Sequence, residues 1–274
     1  MISIDQIRSF YPGMAADKNE SLLKEFLQYR ILRLIYRSPH GRSLVFLGGT
    51  CLRLVHDNPR FSEDLDFDNR GLNTDQFKEL GEDVRAGLVA EGYAVEIDIR
   101  SKTAYRCKVR FPGLLFEQGM SGHAEQRVLI QFDTEPQRYA YEPELHRLTK
   151  FGLALLVPCC SQQLLLAQKC LTILQRPRNK GRDFYDLVFL LSRGISPDMG
   201  YLEQRAGITD LKSLTKRLSH HCAKLDMNAQ AEDVRQFVID AESLDTVTHF
   251  VEIIKRHWGK GLSRMLVRNE PGDR

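Results

Sequence analysis

Apolar residues recur at spacings of three and four through residues 21–36, with Leu22, Leu23, Phe26, Leu27, Ile31, Leu34 and Ile35 among them. That period predicts a helix, and residues 1–40 read as helical as a whole. Pro39 and Gly41 end the segment, because both break helices. Residues 43–47 form a short continuous apolar run, the pattern of a buried strand. Gly48 and Gly49 follow it and open backbone conformations closed to other residues. A short helix is expected over 50–55, with Leu52 and Val55 on one side, and a turn at Asp57, Asn58 and Pro59. Then the pattern changes to period two. Asp64, Asp66 and Asp68 alternate with Leu65 and Phe67, which is a strand signature.

A second helix is expected over 73–92, striped by Phe77, Leu80, Val84 and Leu88 and capped by Gly92. Alternation returns at 93–99, at 104–111, which should pair with it, and at 127–133. From about 143 the chain reads as helical. Ser161 is the expected N-cap of a helix over 162–175. A loop at 178–181 leads to a helix over 182–191, ended by Gly194 and Pro197. Three or four further amphipathic segments run to about His257, and the polar residues 268–274 are expected to fray. The pattern therefore predicts an α+β protein with two domains: a mixed sheet flanked by helices over 1–142, and an all-helical domain over 143–274.

Composition narrows the class. With 274 residues there is ample material for a packed core. No apolar run approaches the roughly 18 residues of a membrane span. The first residues lack the basic and then apolar pattern of a signal peptide, so a cytoplasmic location without membrane partners is the expectation. Six cysteines stand at positions 51, 107, 159, 160, 170 and 222, with no paired Cys-x-x-Cys spacing. They are expected to be free thiols in a reducing compartment, neither staples nor zinc ligands. The net charge of +3 permits a nucleic-acid partner without requiring one. Basic residues concentrate at Arg100, Lys102, Arg106, Lys108 and Arg110, and again at Arg176, Arg178, Lys180 and Arg182. Each cluster also reads as an ordinary solvated face.

The candidate chemistry lies between residues 46 and 68. Asp64 and Asp66 are two apart on a strand, so they share a face, roughly 6.6 Å apart along it. Magnesium is held by one or two carboxylates plus substrate phosphates, and this pair suits it. A solvated acidic edge strand would give the same spacing. Gly48, Gly49 and Thr50 shift the balance. A glycine turn that feeds a helix presents backbone N–H groups to an anion. The spacing is neither a P-loop nor Gly-x-Gly-x-x-Gly. A two-metal site needs another acid from a neighbouring strand. Asp133, at the end of an apolar run, is the choice, with Glu96 and Asp98 as rivals that periodicity does not separate from it.

These residues resemble the nucleotidyltransferase superfamily that includes DNA polymerase β. Within it the chain is similar to the AbiEii/AbiGii toxin family of bacterial toxin–antitoxin and phage-defence systems, which includes the MenT toxins. Two blocks carry the likeness and frame most of residues 43–192. The first joins Leu47, Gly48, Gly49 and Thr50 to Arg60, Ser62, Asp64 and Asp66. The second joins Lys169 and Arg176 to Arg182, Asp183, Asp186 and Leu187. Lys169 also stands out by itself, in a helix of Leu164, Leu165, Leu166, Ala167, Cys170 and Leu171. A lysine there must snorkel or find an anion. Asp183 and Asp186 share a helix face, so an internal ion pair with Lys169 is the alternative to a nucleotide phosphate.

The resemblance implies a nucleotidyltransferase-like mixed sheet with a helical domain that closes the nucleotide cleft. It implies transfer of an NMP from an NTP to an acceptor hydroxyl, with the 3′ end of tRNA as the acceptor and an antitoxin encoded nearby. Asp64 and Asp66 would be catalytic and would hold Mg²⁺, or Mn²⁺ in its place, and Asp133 would hold a second ion. Gly48, Gly49, Thr50, Arg60, Ser62 and Lys169 would bind nucleotide. Lys169, Asp183 and Asp186 would join the catalytic set, and the basic clusters would contact the RNA backbone. Two other readings remain. One is nucleotide transfer to a small molecule, as in antibiotic modification. The other is a catalytically silent module that binds nucleotide or antitoxin.

Overall fold

The structure, a computed structural model, describes residues 2–101 and 104–259. Lys102 and the expected frayed end at 268–274 lie outside the described residues. The chain divides into two compact units, Met1–Cys160 and Ser161–Arg274.

The first unit is built on a seven-stranded mixed sheet. Helix α1 (Ile4–Arg8) and helix α2 (Asn19–Arg37) precede strand β1 (Leu44–Leu47). The first forty residues are therefore two helices and not one, because Pro12 and Gly13, the latter at φ +80°, fall between them. Helix α3 (Gly48–His56) starts on the first glycine, two residues earlier than its apolar pattern suggests. Strand β2 (Leu65–Asn69), helix α4 (Thr74–Ala90), strands β3 (Glu96–Ser101) and β4 (Tyr105–Pro112), the short helix α5 (Leu114–Glu117) and strand β5 (Arg127–Pro136) follow. Asn73 caps α4 with a reciprocal bond to Gln76, which fixes where that helix begins.

Residues 144–159, expected to be helical, are two more strands, β6 (Glu144–Leu148) and β7 (Leu155–Cys159). The first unit thus runs to Cys160, and not to 142. Leu145 and Leu148 are three apart, a helix-like spacing, yet only Leu148 is buried and Leu145 is 68% exposed. The backbone is held by pairing: β6 runs antiparallel to β7, and β7 runs parallel to β1 through Phe46 and Cys159.

The sheet order is β3-β4-β5-β2-β1-β7-β6. Its period-two alternation sorts the two faces. Phe46, Leu65, Phe67, Cys107, Val109, Ile130 and Phe132 are all buried. They point toward α2 and α4, which pack on this side against β3, β4 and β5. Burying such side chains contributes about 1.5–3 kcal/mol each. The intervening residues, Asp66, Asp68, Arg106, Lys108 and Asp133, face the other way.

The second unit is helical: α6 (Gln162–Gln175), α7 (Gly181–Ser192), α8 (Met199–Ala206), α9 (Leu211–Cys222), α10 (Met227–Arg235), α11 (Asp245–Thr248) and α12 (Phe250–Gly259). Ser161 caps α6 by accepting from the Leu164 N–H at 3.3 Å. Helix α7 is the hub and packs on α6, α10, α11 and α12. At its first residue the backbone of α10 comes so near that a Cβ on Gly181 would lie 1.8 Å from the Gln230 carbonyl oxygen. Only glycine admits that approach. All six cysteines are free and buried. Among the described residues no helix is long and apolar enough to cross a membrane.

Candidate active site

The glycine turn and the acidic strand meet directly. Strands β1 and β2 pair antiparallel with Leu47 opposite Asp66, so Gly48 emerges beside the Asp66 carboxylate. A Cβ on Gly48 would lie 2.4 Å from Asp66 Oδ2, and the residue sits at φ +80°. Both facts demand glycine. A Cβ on Gly49 would meet the Arg60 guanidinium at 2.5 Å and Ser62 Oγ at 3.1 Å. The two missing side chains let the 60–66 segment close over the start of α3.

That segment is held from several sides. The Thr50 hydroxyl donates to the Asp64 carbonyl in a short hydrogen bond. Gln28, fully buried on α2, donates its amide to the carbonyls of Ser62 at 2.7 Å and Glu63 at 2.9 Å. Arg60 is 1% exposed, and its Nη1 donates to the Phe61 carbonyl at 2.9 Å. A buried guanidinium under a glycine turn supplies fixed positive charge to the same place as the helix dipole. The N-cap residue of α3 is Leu47, whose side chain cannot accept a hydrogen bond, so the helix start carries no cap from its own N-cap side chain.

The register of the sheet orders the three candidate acids. Strand β2 runs parallel to β5 with Asp66 opposite Asp133, and β5 runs antiparallel to β4 with Asp133 opposite Arg106. Strand β4 in turn places Arg106 opposite Arg100 of β3. Residues in register share a face, so one row crosses the sheet: Asp66, Asp133, Arg106, Arg100. Glu96 and Asp98 lie on β3, three strands from β2, or roughly 14 Å at the ordinary strand spacing. Both are engaged there, Glu96 with Arg127 at 3.0 Å and Asp98 with Arg100 at 3.4 Å.

Asp133 is itself gripped. Arg106 Nε donates to both of its oxygens at 3.2 Å, and Gln131 Nε2 donates to Oδ2 at 2.9 Å. Burial pushes the Asp133 carboxyl up from the usual carboxylate range, and these two donors draw it part of the way back. Asp68, one pleat along from Asp66, is also pushed up by burial, against the bond it accepts from the Tyr141 hydroxyl at 2.6 Å. Among the described residues no three His, Cys, Asp or Glu side chains are gathered as a ready metal cluster. Asp64 and Asp66 still suit a magnesium ion, which takes one or two carboxylates and completes its shell with water and phosphate oxygens.

In the second unit, Lys169 of α6 meets both acids of α7. Its Nζ lies 2.9 Å from Asp183 Oδ1 and 2.7 Å from Asp186 Oδ2. Arg176 Nη1 bonds the other Asp183 oxygen at 2.5 Å. Asp183 and Asp186 are 3% and 0% exposed. Two cations and two carboxylates thus form a neutral buried cluster. The internal pairing read from the spacing is present, and it involves both acids. In the basic loop, Arg176 is committed to this cluster, and Arg182 lies over the Phe237 ring at 5.9 Å.

Gln28, Arg106 and Gln131 were not singled out for the site by their spacing. Arg106 carried one usable signal, since its alternation with Cys107 and Val109 puts it on the Asp66 face once the strands are aligned.

A family model described as the nucleotidyl transferase AbiEii toxin of a Type IV toxin–antitoxin system matches residues 30–256. The chain belongs to that family, and with it to the nucleotidyltransferases. Among curated proteins no relative matches. Solved structures share the fold, among them two from Helicobacter pylori. JHP933 from Helicobacter pylori is 18% identical with a TM-score of 0.55, over 94% of this chain and 100% of that one. A candidate nucleotidyltransferase from H. pylori is 19% identical with a TM-score of 0.53, over 88% of this chain and 96% of that one.

Proposed function

We propose that this AbiEii-family nucleotidyltransferase moves an NMP from an NTP to the 3′-terminal hydroxyl of an RNA, with tRNA as the acceptor. One observation carries the reading: Asp66 lies between Gly48, which abuts its carboxylate, and Asp133, its partner in register. A phosphate turn, an acid pair and a neighbouring acid then occupy one corner of the sheet.

The backbone N–H groups of Gly48, Gly49 and Thr50 bind the triphosphate, with Ser62 as a further donor and the Arg60 charge beneath. Asp64 and Asp66 are the ligands for Mg²⁺ or Mn²⁺, and Asp133 is the third acid. The bound metal supplies Lewis-acid polarisation of the α-phosphate and of the leaving pyrophosphate. The acceptor oxygen forms a bond to the α-phosphorus, the bond from that phosphorus to the α,β-bridging oxygen breaks, and pyrophosphate departs. Asp133 helps to draw off the hydroxyl proton, and for that role it exchanges its bond to Arg106. Lys169, aimed by Asp183 and Asp186, gives its charge to a phosphate. Extending tRNA ends would stop their aminoacylation. The chain then acts in the cytoplasm as the toxin of a pair, opposed by an antitoxin encoded nearby.

Incubation with each α-labelled NTP, Mg²⁺ and total tRNA tests this. The expected result is label on RNA, absent with Asp66→Ala. Label on the protein or on a small molecule, or no label with any acceptor, contradicts it.

A further inference from the structure

The first unit holds a polar cavity at the opposite end of α3 from the glycine turn. Its volume is about 420 Å³, within the range of small-molecule sites. Glu25 of α2 forms its floor and is 3% exposed. That single carboxylate serves two cations, Arg53 Nε at 2.7 Å and Lys150 Nζ at 3.1 Å, and also accepts from the Tyr11 hydroxyl at 2.6 Å. The Arg53 and Lys150 side chains are 10% and 28% exposed, so the floor carries one positive charge in excess.

The mouth adds Arg147 and Asp57, both exposed. Neither side chain makes an ion pair or hydrogen bond among the described residues. The walls are also strained. Among the described residues the two non-glycine positions with positive φ are Asp57 (+60°) and Phe151 (+57°), one lining the cavity and one next to Lys150. Phe151 is locked there by the rings of Phe10, Phe26 and Tyr29 at 4.9–5.2 Å. Lys150 lies over the Tyr11 ring at 3.7 Å, so its ammonium is placed before any ligand arrives. Burial pulls the Lys150 pKa down, against the pull of Glu25.

We propose that this cavity is a second ligand site for a small phosphorylated molecule, whose phosphate meets Arg53, Arg147 and Lys150 and whose hydroxyl donates to Asp57. A carboxylate has two oxygens, and three cations, Arg53 on α3 with Arg147 and Lys150 at and just past the end of β6, call for the three terminal oxygens of a phosphomonoester. Arg53 lies about one and a half turns along α3 from the glycine end and Asp57 is its C-cap, so occupancy would bear on the same helix as the triphosphate turn.

Calorimetric titration of the full chain without divalent metal tests this, with ribose 5-phosphate and inorganic phosphate as probes. Ribose 5-phosphate is expected to bind, more tightly than inorganic phosphate. Arg147→Ala should weaken it by about tenfold with an unchanged melting temperature, because that side chain supports nothing else. Asp57→Asn should weaken ribose 5-phosphate and spare inorganic phosphate. Asp66→Ala should change neither, which separates this site from the proposed nucleotide site. No binding of ribose 5-phosphate, binding unaltered by Arg147→Ala, or binding no tighter than that of inorganic phosphate overturns the proposal.

Discussion

The protein carries two groups of acids, and they are built in opposite ways. Asp66 and Asp133 lie on an open sheet face, partly exposed, with Gly48 giving one of them room. Asp183 and Asp186 are buried and matched one for one by Lys169 and Arg176. An acid kept near solvent contributes little to folding and stays available for an incoming cation. An acid matched in the core contributes geometry and is costly to disturb. The same residue type is thus left half-open on the sheet in one unit and locked into an ion-pair cluster in the other.

The comparison breaks most sharply at Asp66. Asp66→Asn should lower nucleotidyl transfer by roughly 10⁴-fold, about 5 kcal/mol of transition-state stabilisation. Its unfolding free energy from urea titration should stay within about 0.5 kcal/mol of the parent's. Loss of folding along with activity would make Asp66 structural. Asp186→Ala should do the reverse and cost about 3–5 kcal/mol of stability, because it strips one of two carboxylates from a buried ammonium. A double variant, Lys169→Met with Asp186→Leu, should recover part of that stability and none of the activity. Recovery of activity would remove Lys169 from the catalytic set.

Next in size is an alkaline effect. Burial pushes the thiols of Cys107 and Cys222 up to about 12. The unfolded chain loses these protons near pH 8.5, so folding stability is full below that pH and declines as pH rises toward 12. Thermal melts across that window measure the decline, and a thiol reagent at pH 8 should label the native chain far more slowly than the unfolded one. The smallest effect is expected from Arg106→Gln. That pair is half-exposed, so stability should change by less than about 1 kcal/mol. Arg106 holds the Asp133 carboxyl down, and its removal should move that carboxyl further up in an NMR titration.

Much of this was legible in the chain because its signals are local. The alternation at Asp64–Asp68, the glycines at 48 and 49, and the spacing of Lys169, Asp183 and Asp186 each span a few residues. The strands at 144–159 were not legible, because Leu145 faces outward and the pairing that holds β7 comes from β1, more than a hundred residues earlier. That Asp133 stands next to Asp66 while Glu96 and Asp98 lie three strands away follows from strand order, which no periodicity encodes. Gln28 reaches Ser62 across 34 residues, and Arg106 reaches Asp133 across 27. Such partners become visible only when the sheet is assembled.

The central claim is that Asp64 and Asp66 form the metal-dependent nucleotide site. Electron paramagnetic resonance titration of Mn²⁺, with and without a non-hydrolysable NTP analogue, tests it directly. The parent chain should bind Mn²⁺ more tightly when the analogue is present, and Asp64→Asn with Asp66→Asn should abolish that binding while the chain stays folded. Equal Mn²⁺ binding by the parent and the folded double variant would contradict the account.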